Sequence, residues 1–572
     1  MRDDTALFPL LKQHLQQIYK EKYADAITET LVENILASQK QDAKKPEKWN
    51  EKDSILITYA GSIRRQDEAP LKTLERFLKH NLYGLISCVH ILPFFPYSSD
   101  DGFSVIDYKK VDPELGDWND IKKISLSFDL MFDLVINHIS QKSEWFQNYL
   151  KSKDPGKDFF IEVDPSLDLS QVVRPRSLPL LTAFDTCDGR KHLWTTFSSD
   201  QIDLNFANPQ VLLEMLDILV DYINKGSRIT RLDAIAFLWK ETGTSCLHRP
   251  ETHEVVKLIR KVAEAVDPTS IILTETNVPN RENLSYFGNN DEAHMVYQFS
   301  LPPLLLHALH TGTGSYLTDW LSELPELEPN QTFFNFTASH DGIGVRPLEG
   351  LLPDRELDKL VSNMQRFGGK VSTKTNVDGT ESPYELNITY FDALKGTSNG
   401  EDEFQVDRFL CSQTIMMALK GIPAFYIHSL TATPNYYEGV EQTGRARTIN
   451  RRIWQEDELN ALLQENGPTA VVFKELKRRI AVRSGQSAFH PNAMQRVWPV
   501  NDAVFSFIRG DQAGGEILVL ANLTNEEKRI EKTNLPAGNH GFVDILSGEA
   551  FPVHNILFSL KPYQVLWLKI QP

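Results

Sequence analysis

The chain has 572 residues, of which 41% are hydrophobic and 24% charged, so it is neither disordered nor fibrous and can bury a large core. Lys and Arg number 60 against 77 Asp and Glu, and the resulting net charge of −17 argues against sequence-independent binding to nucleic acid or to an anionic membrane. Cys88, Cys187, Cys246 and Cys411 are too sparse for a disulfide framework or a zinc cluster, Met1-Arg2-Asp3-Asp4 lacks the pattern of a secretory signal, and no run of about 20 apolar residues would span a membrane, which together predict a cytoplasmic protein.

Residues 5–40 place Leu7, Leu10, Leu11, Leu15, Ile18 and Tyr19 at helical spacing, predicting a helical extension over 1–50, with a lysine-rich linker from Gln41 to Lys52. Short apolar strands then alternate with helical patterns. The strands are predicted near 54–60, 84–94, 129–136, 227–234, 270–275, 294–298, 332–338 and 422–427. The helix after Asn208 has a capping side chain, Pro209 in its first turn and Gly226 just past its end. Its apolar face is Val211, Leu212, Met215, Leu216, Leu219 and Ile223.

Eight strand–helix units in series point to an α/β fold, a (β/α)8 TIM barrel, occupying 51–139 and 207–499. An inserted domain is expected after strand 3, at 140–206, and an extended loop region after strand 7, at 345–405. Both follow strand ends, on the face where barrel enzymes build their sites. The runs Ile517–Ala521 and Val565–Lys569 predict a C-terminal β-domain over 500–572.

Four strand ends are unusually polar: Asp133-Leu134-Val135-Ile136-Asn137-His138, Arg231-Leu232-Asp233, Thr274-Glu275-Thr276 and Ser339-His340-Asp341-Gly342. Arg231 and Asp233, two apart on a strand, share a face, and an arginine so placed favours ionised aspartate, as a nucleophile requires. Glu275 follows an apolar strand with no basic neighbour in sequence, the setting for a raised pKa and proton donation. Each carboxylate alone reads equally well as a structural ion pair or a rim charge. Three of them on one barrel face form the machinery of glycoside chemistry.

These four blocks resemble the conserved regions of the α-amylase superfamily. The resemblance implies Asp233 as nucleophile, Glu275 as general acid/base and Asp341 as transition-state stabiliser, with Arg231, His138 and His340 as sugar-site partners and Asp133 in a mainly structural role. Further segments are similar to the sucrose phosphorylase-like subfamily: His90–Pro96, Asp100-Asp101-Gly102-Phe103, Lys240–Cys246, His340–Gly344 and Arg447-Thr448-Ile449-Asn450-Arg451. That likeness implies a glucose pocket with Asp101, Phe103 and Arg447, an inserted-domain wall with Phe197 and Gln201, and phosphate or acceptor contacts from Arg176, Arg346 and Tyr384. Arg174 is a further cationic candidate.

The implied activity is a retaining glycoside phosphorylase that takes inorganic phosphate as co-substrate and needs no cofactor or metal. The expected partners are a small sugar glycoside and phosphate, with no nucleic acid and no membrane; a homodimer stays open. The N-terminal extension, Arg174–Thr182, Phe237–Lys240 and Val345–Pro353 look most like glucosylglycerate phosphorylases, and a bulky Trp239 fits a small acceptor. Glu349 in the same loops favours neutral glycerol instead. Glucosylglycerol and sucrose or sucrose 6′-phosphate phosphorolysis are therefore alternatives, followed by α-glucoside hydrolysis or transglucosylation.

Overall fold

A computed structural model describes residues 4–38, 47–376, 380–510, 515–536, 541–552, 554 and 556–570. All eight expected strands form, as β1 Ile55–Thr58, β2 Cys88–Ile91, β3 Asp129–Leu134, β4 Ser227–Leu232, β5 Ile271–Thr274, β6 Met295–Tyr297, β7 Thr332–Phe336 and β8 Ile422–Tyr426. They are parallel, pair in chain order and close β8 onto β1. Strands β4, β5 and β7 end before Asp233, Glu275 and Asp341, which leaves these carboxylates in the loops beyond, while Asp133 and Arg231 lie within β3 and β4. The result is a (β/α)8 barrel with additional layers at both chain ends and on its C-terminal face.

The chain begins with two helices, α1 Asp4–Tyr19 and α2 Glu21–Ser38, which pack on each other and on the barrel helices α3 Pro209–Asn224 and α4 Pro250–Val266. Residues 41–46 of the expected linker lie outside the described residues. Helix α3 forms as its signals require: Asn208 accepts the Gln210 N–H, Pro209 opens the first turn and Gly226 has φ 104°. All six residues of its expected apolar face are buried.

The segment after β3 turns back through His138–Ser140, which pairs antiparallel with Gln201–Asp203, and carries the hairpin Leu181–Thr186/Gly189–Trp194. After β7, Glu381–Asn387 lies between Ile343–Gly344 and Lys370–Thr375 in a three-stranded sheet. The C-terminal sheet has six strands, with Ile517–Ala521 directly opposite Val565–Lys569. It takes in Met494–Val497, ahead of the boundary expected at 500, because that strand pairs with Val504–Gly510. Buried Arg509 ties this sheet to the barrel by donating to Ala418 O at 2.7 Å. Among the described residues no helix is long and apolar enough to cross a membrane.

Candidate active site

Registry between β3 and β4 puts Asp133 opposite Arg231. The buried Arg231 guanidinium bridges Asp133 and Asp233, the latter at 2.8 Å, and its other nitrogen stands 3.8 Å from Glu275. Beneath it lies Tyr297 from β6, 5.7 Å from the guanidinium to ring centre. After Asp233 the chain turns at Ala234, whose φ of 49° is costly for a residue with a Cβ, and the Ala234 N–H donates to Glu275 Oε2 at 2.9 Å. The third carboxylate, Asp341, lies 2.7 Å from Arg447 and 3.4 Å from His340. Phe103 stacks on His340 with ring centres 4.8 Å apart, so an aromatic and an imidazole line one side of the cluster.

Around these groups lies a cavity of about 80 Å³ that includes Asp100, His138, Arg176, Phe197, Gln201, Tyr384 and Glu385. Past Arg176, Tyr384 and Glu385 it meets a vestibule of about 480 Å³, where Arg445 and Ser199 are added to the wall. Two close approaches need glycine. A Cβ on Gly342 would lie 2.4 Å from Glu385, and one on Gly344 would lie 2.5 Å from Asn277. The His340–Gly344 spacing thus lets the loop after β7 fold against both.

The chain matches the α-amylase catalytic domain over residues 84–336. It is 44% identical over 568 residues to the glucosylglycerate phosphorylase of Escherichia coli, covering 98% of this chain and 99% of that one. The same-named protein of Spirochaeta thermophila is 47% identical over 529 residues, covering 90% and 89%. The crystal structure of sucrose 6F-phosphate phosphorylase from Thermoanaerobacter thermosaccharolyticum superposes with a TM-score of 0.71 at 28% identity, over 84% of this chain and 94% of that one. The chain belongs to the glycoside phosphorylases of the α-amylase superfamily.

Most residues expected from sequence converge in this phosphorylase. Asp233, Glu275, Asp341, Phe103, His138, Arg176, Phe197, Gln201, Arg231, His340, Tyr384 and Arg447 all line the cavity. Gln201 Nε2 lies 3.1 Å from His138 Nε2 and donates to Phe103 O at the same distance, which ties the inserted segment to the barrel rim. Buried Lys240 reinforces that tie at 2.6 Å from both Asn137 and Asp203.

Asp101 is a correction. Asp100 and Asp101 are consecutive left-handed residues, with φ 53° and 50°, and this tight turn sends their side chains to different sides. Asp100 enters the cavity, held by Arg176 at 3.0 Å and Gln201 at 3.3 Å. Asp101 instead pairs with Arg451 and Arg445 beside a separate pocket lined by Tyr59 and Tyr97.

Arg346 also falls outside the cavity lining; its Nε faces Glu349 at 3.5 Å. Arg174 donates to Leu178 O of its own loop. Trp239 does not border the cavity; it packs against Tyr19 of α1, with ring centres 6.3 Å apart. Glu349, suspected of favouring glycerol, is half exposed and reaches Lys374 at 3.3 Å.

Burial sets the electrostatics of the cluster. Burial, reinforced by Glu275, Asp133 and Asp341, pushes Asp233 well above the usual carboxylate range despite Arg231, which is divided between two aspartates. Burial likewise raises Glu275, as expected, with Arg231 opposing and Asp341 adding to the rise. Burial also pushes Asp341 up, but His340, Arg447 and Arg451 outweigh it and hold it low. His340 is lowered by burial to about 3, with Asp341 opposing, and is neutral near pH 7. Burial pushes Tyr384 up to about 12.

Asp100, Glu385, Asn277 and Arg451 were missed from sequence. Glu385 grips Arg447 through two hydrogen bonds, at 2.8 and 2.9 Å, and Arg451 donates to His340 O at 2.7 Å. Asn277 lines the cavity two residues beyond Glu275, with an unpartnered Oδ1. Spacing from Glu275 was the available signal for Asn277. For Glu385 there was none, because its partner Arg447 is remote in sequence.

Proposed function

We propose that this phosphorylase carries out the reversible phosphorolysis of 2-O-α-D-glucosylglycerate to α-D-glucose 1-phosphate and D-glycerate, with retention. The observation that carries the reading is the cluster of Asp233 and Glu275 beside Arg231 and Asp341 on Arg447, with Arg176 at its mouth, in a chain similar along its whole length to glucosylglycerate phosphorylases.

Asp233 and Glu275 act as one titrating pair that holds one proton. Burial raises both carboxyls, and Arg231, 2.8 Å from Asp233 and 3.8 Å from Glu275, opposes that rise from closer range at Asp233, so in the reactive form the charge is on Asp233 and the proton on Glu275. Asp233 attacks the anomeric carbon, and Glu275 gives its proton to the departing glycerate oxygen. A β-glucosyl ester on Asp233 results. Phosphate oxygen then attacks that carbon, Glu275 takes back a proton, and Asp233 is released. Asp341 supports the oxocarbenium-like charge in both steps, and Asp100, His138, Arg231, His340 and Arg447 hold the glucosyl unit.

Arg176 is the cation at the mouth, where it serves phosphate and the glycerate carboxylate in turn, and Tyr384 faces it across the opening. The inner cavity of about 80 Å³ opens past Arg176 and Tyr384 into the vestibule of about 480 Å³, on the side from which the acceptor approaches. The chemistry calls for no metal or cofactor. Four unpaired cysteines fit a reducing, cytoplasmic setting.

The test is the glucoside incubated with and without phosphate, followed by proton NMR. The reading expects the α-anomer of glucose 1-phosphate, formed only with phosphate. Free glucose released at the same rate without phosphate would overturn it in favour of a hydrolase.

A further inference from the structure

The α1–α2 hairpin covers α3 and α4, the helices that flank the strand that bears Arg231 and leads into Asp233. Helix α1 is anchored by His14, whose Nδ1 lies 2.6 Å from Glu254 of α4 in a mostly buried pair. At its end, Tyr19 donates its hydroxyl to Phe206 O at 2.8 Å, where the inserted segment rejoins the barrel. The Tyr19 ring packs on Trp239.

Trp239 lies two residues beyond Phe237, in the turn that follows Asp233. Phe237 meets Phe197 edge-on, with ring centres 5.4 Å apart. Phe197 in turn packs 5.2 Å from His138 and lies under the Arg176 guanidinium at 5.6 Å. Two sets of ring contacts, joined by the backbone between Phe237 and Trp239, therefore connect the N-terminal hairpin to the mouth of the cavity.

We propose that Tyr19 is a positioning residue for the acceptor side of the site: the hairpin holds the Phe237–Trp239 turn, and that turn sets the Phe197–Arg176 wall where phosphate binds. The inference rests on the reading of Arg176 given above. Tyr19 touches no substrate; its ring acts through Trp239, and its hydroxyl also holds Phe206 O. Removing its ring lets the turn and the wall relax, which weakens phosphate binding while leaving the glucose contacts of Asp100, His340 and Arg447 in place.

The test compares Tyr19→Ala, Tyr19→Phe, Phe237→Ala and the Tyr19→Ala/Phe237→Ala double variant, using whichever glucoside the unaltered enzyme turns over best. Tyr19→Ala is expected to raise the phosphate KM about fivefold well below its melting temperature, while single-turnover glucosylation by α-glucosyl fluoride changes less than about twofold. Tyr19→Phe, which keeps the ring, is expected to restore most of the phosphate affinity. The double variant is expected to lose less than the product of the two single losses.

A purely structural Tyr19 would lower the melting temperature and leave the phosphate KM unchanged, and that result, or independent losses in the double variant, overturns the proposal. Should Tyr19→Ala fail to fold, Trp239→Leu probes the same contact from the loop, with the same expected and contrary outcomes. Failure of the substrate reading shows separately, in which glucoside the unaltered enzyme accepts.

Discussion

Arg231 lies 2.8 Å from Asp233, and that same guanidinium nitrogen also reaches Asp133. One buried cation therefore holds the proposed nucleophile while neutralising a second carboxylate from the neighbouring strand. A lysine keeps the charge but cannot hold both aspartates with one nitrogen while turning a second toward Glu275, as the planar guanidinium does. Arg231→Lys is expected to lower kcat/KM by about 10²-fold or more while the barrel still folds, as measured by initial rates and thermal melting. Near-normal turnover would show that Asp233 does not depend on this contact.

Glu275 is proposed to give a proton to the leaving oxygen, so its importance depends on how badly that oxygen needs one. Glu275→Gln is expected to slow phosphorolysis of the natural glucoside by about 10²–10⁴-fold. Glucosylation by α-glucosyl fluoride, whose leaving group needs little protonation, is expected to suffer much less. An equal loss on both donors would remove Glu275 from the acid role.

The same variant makes a stability prediction. Burial raises the Glu275 pKa in the folded enzyme, so its contribution to stability is fully present below the unfolded pKa and is lost as pH rises through the folded one. Glutamine carries no such loss. The melting temperature of Glu275→Gln is therefore expected to climb relative to the unaltered enzyme between pH 5 and pH 8. A difference that stays flat with pH would mean that Glu275 is not held proton-rich by its surroundings.

Two adjacent aspartates should behave oppositely. Asp100 faces the cavity, whereas Asp101 neutralises Arg451 and Arg445 outside it. Asp100→Asn is expected to cost roughly tenfold to a hundredfold in kcat/KM, the effect of weakening a charged hydrogen bond to the sugar. Asp101→Asn is expected to lower the melting temperature, because Arg451 is left short of its partner, and to affect kcat/KM far less. Parallel kinetics and melting curves separate the two.

The barrel was legible because most strands are short apolar runs set between helical patterns, and four of them lead into polar blocks, as Ile271–Thr274 leads into Glu275. The three carboxylates were legible for the same reason, since a strand end fixes which barrel face a residue joins. What could not be read were relations across the fold. Whether Asp100 or Asp101 enters the cavity depends on two left-handed residues in one turn. Trp239 reads as an acceptor wall until α1 is seen to cover it. The effect of Arg231 on Asp233 required the burial of the cluster and the second claim of Asp133 on the guanidinium. Sequence distance hid the Glu385–Arg447 pair entirely.

The central claim is tested most directly by initial rates of glucose 1-phosphate release, at matched concentrations and saturating phosphate, from 2-O-α-D-glucosylglycerate, 2-O-α-D-glucosylglycerol, sucrose and sucrose 6′-phosphate. The account predicts the highest kcat/KM for glucosylglycerate, with the loss on glucosylglycerol reflecting the missing carboxylate contact to Arg176. A higher kcat/KM for any of the other three would contradict it.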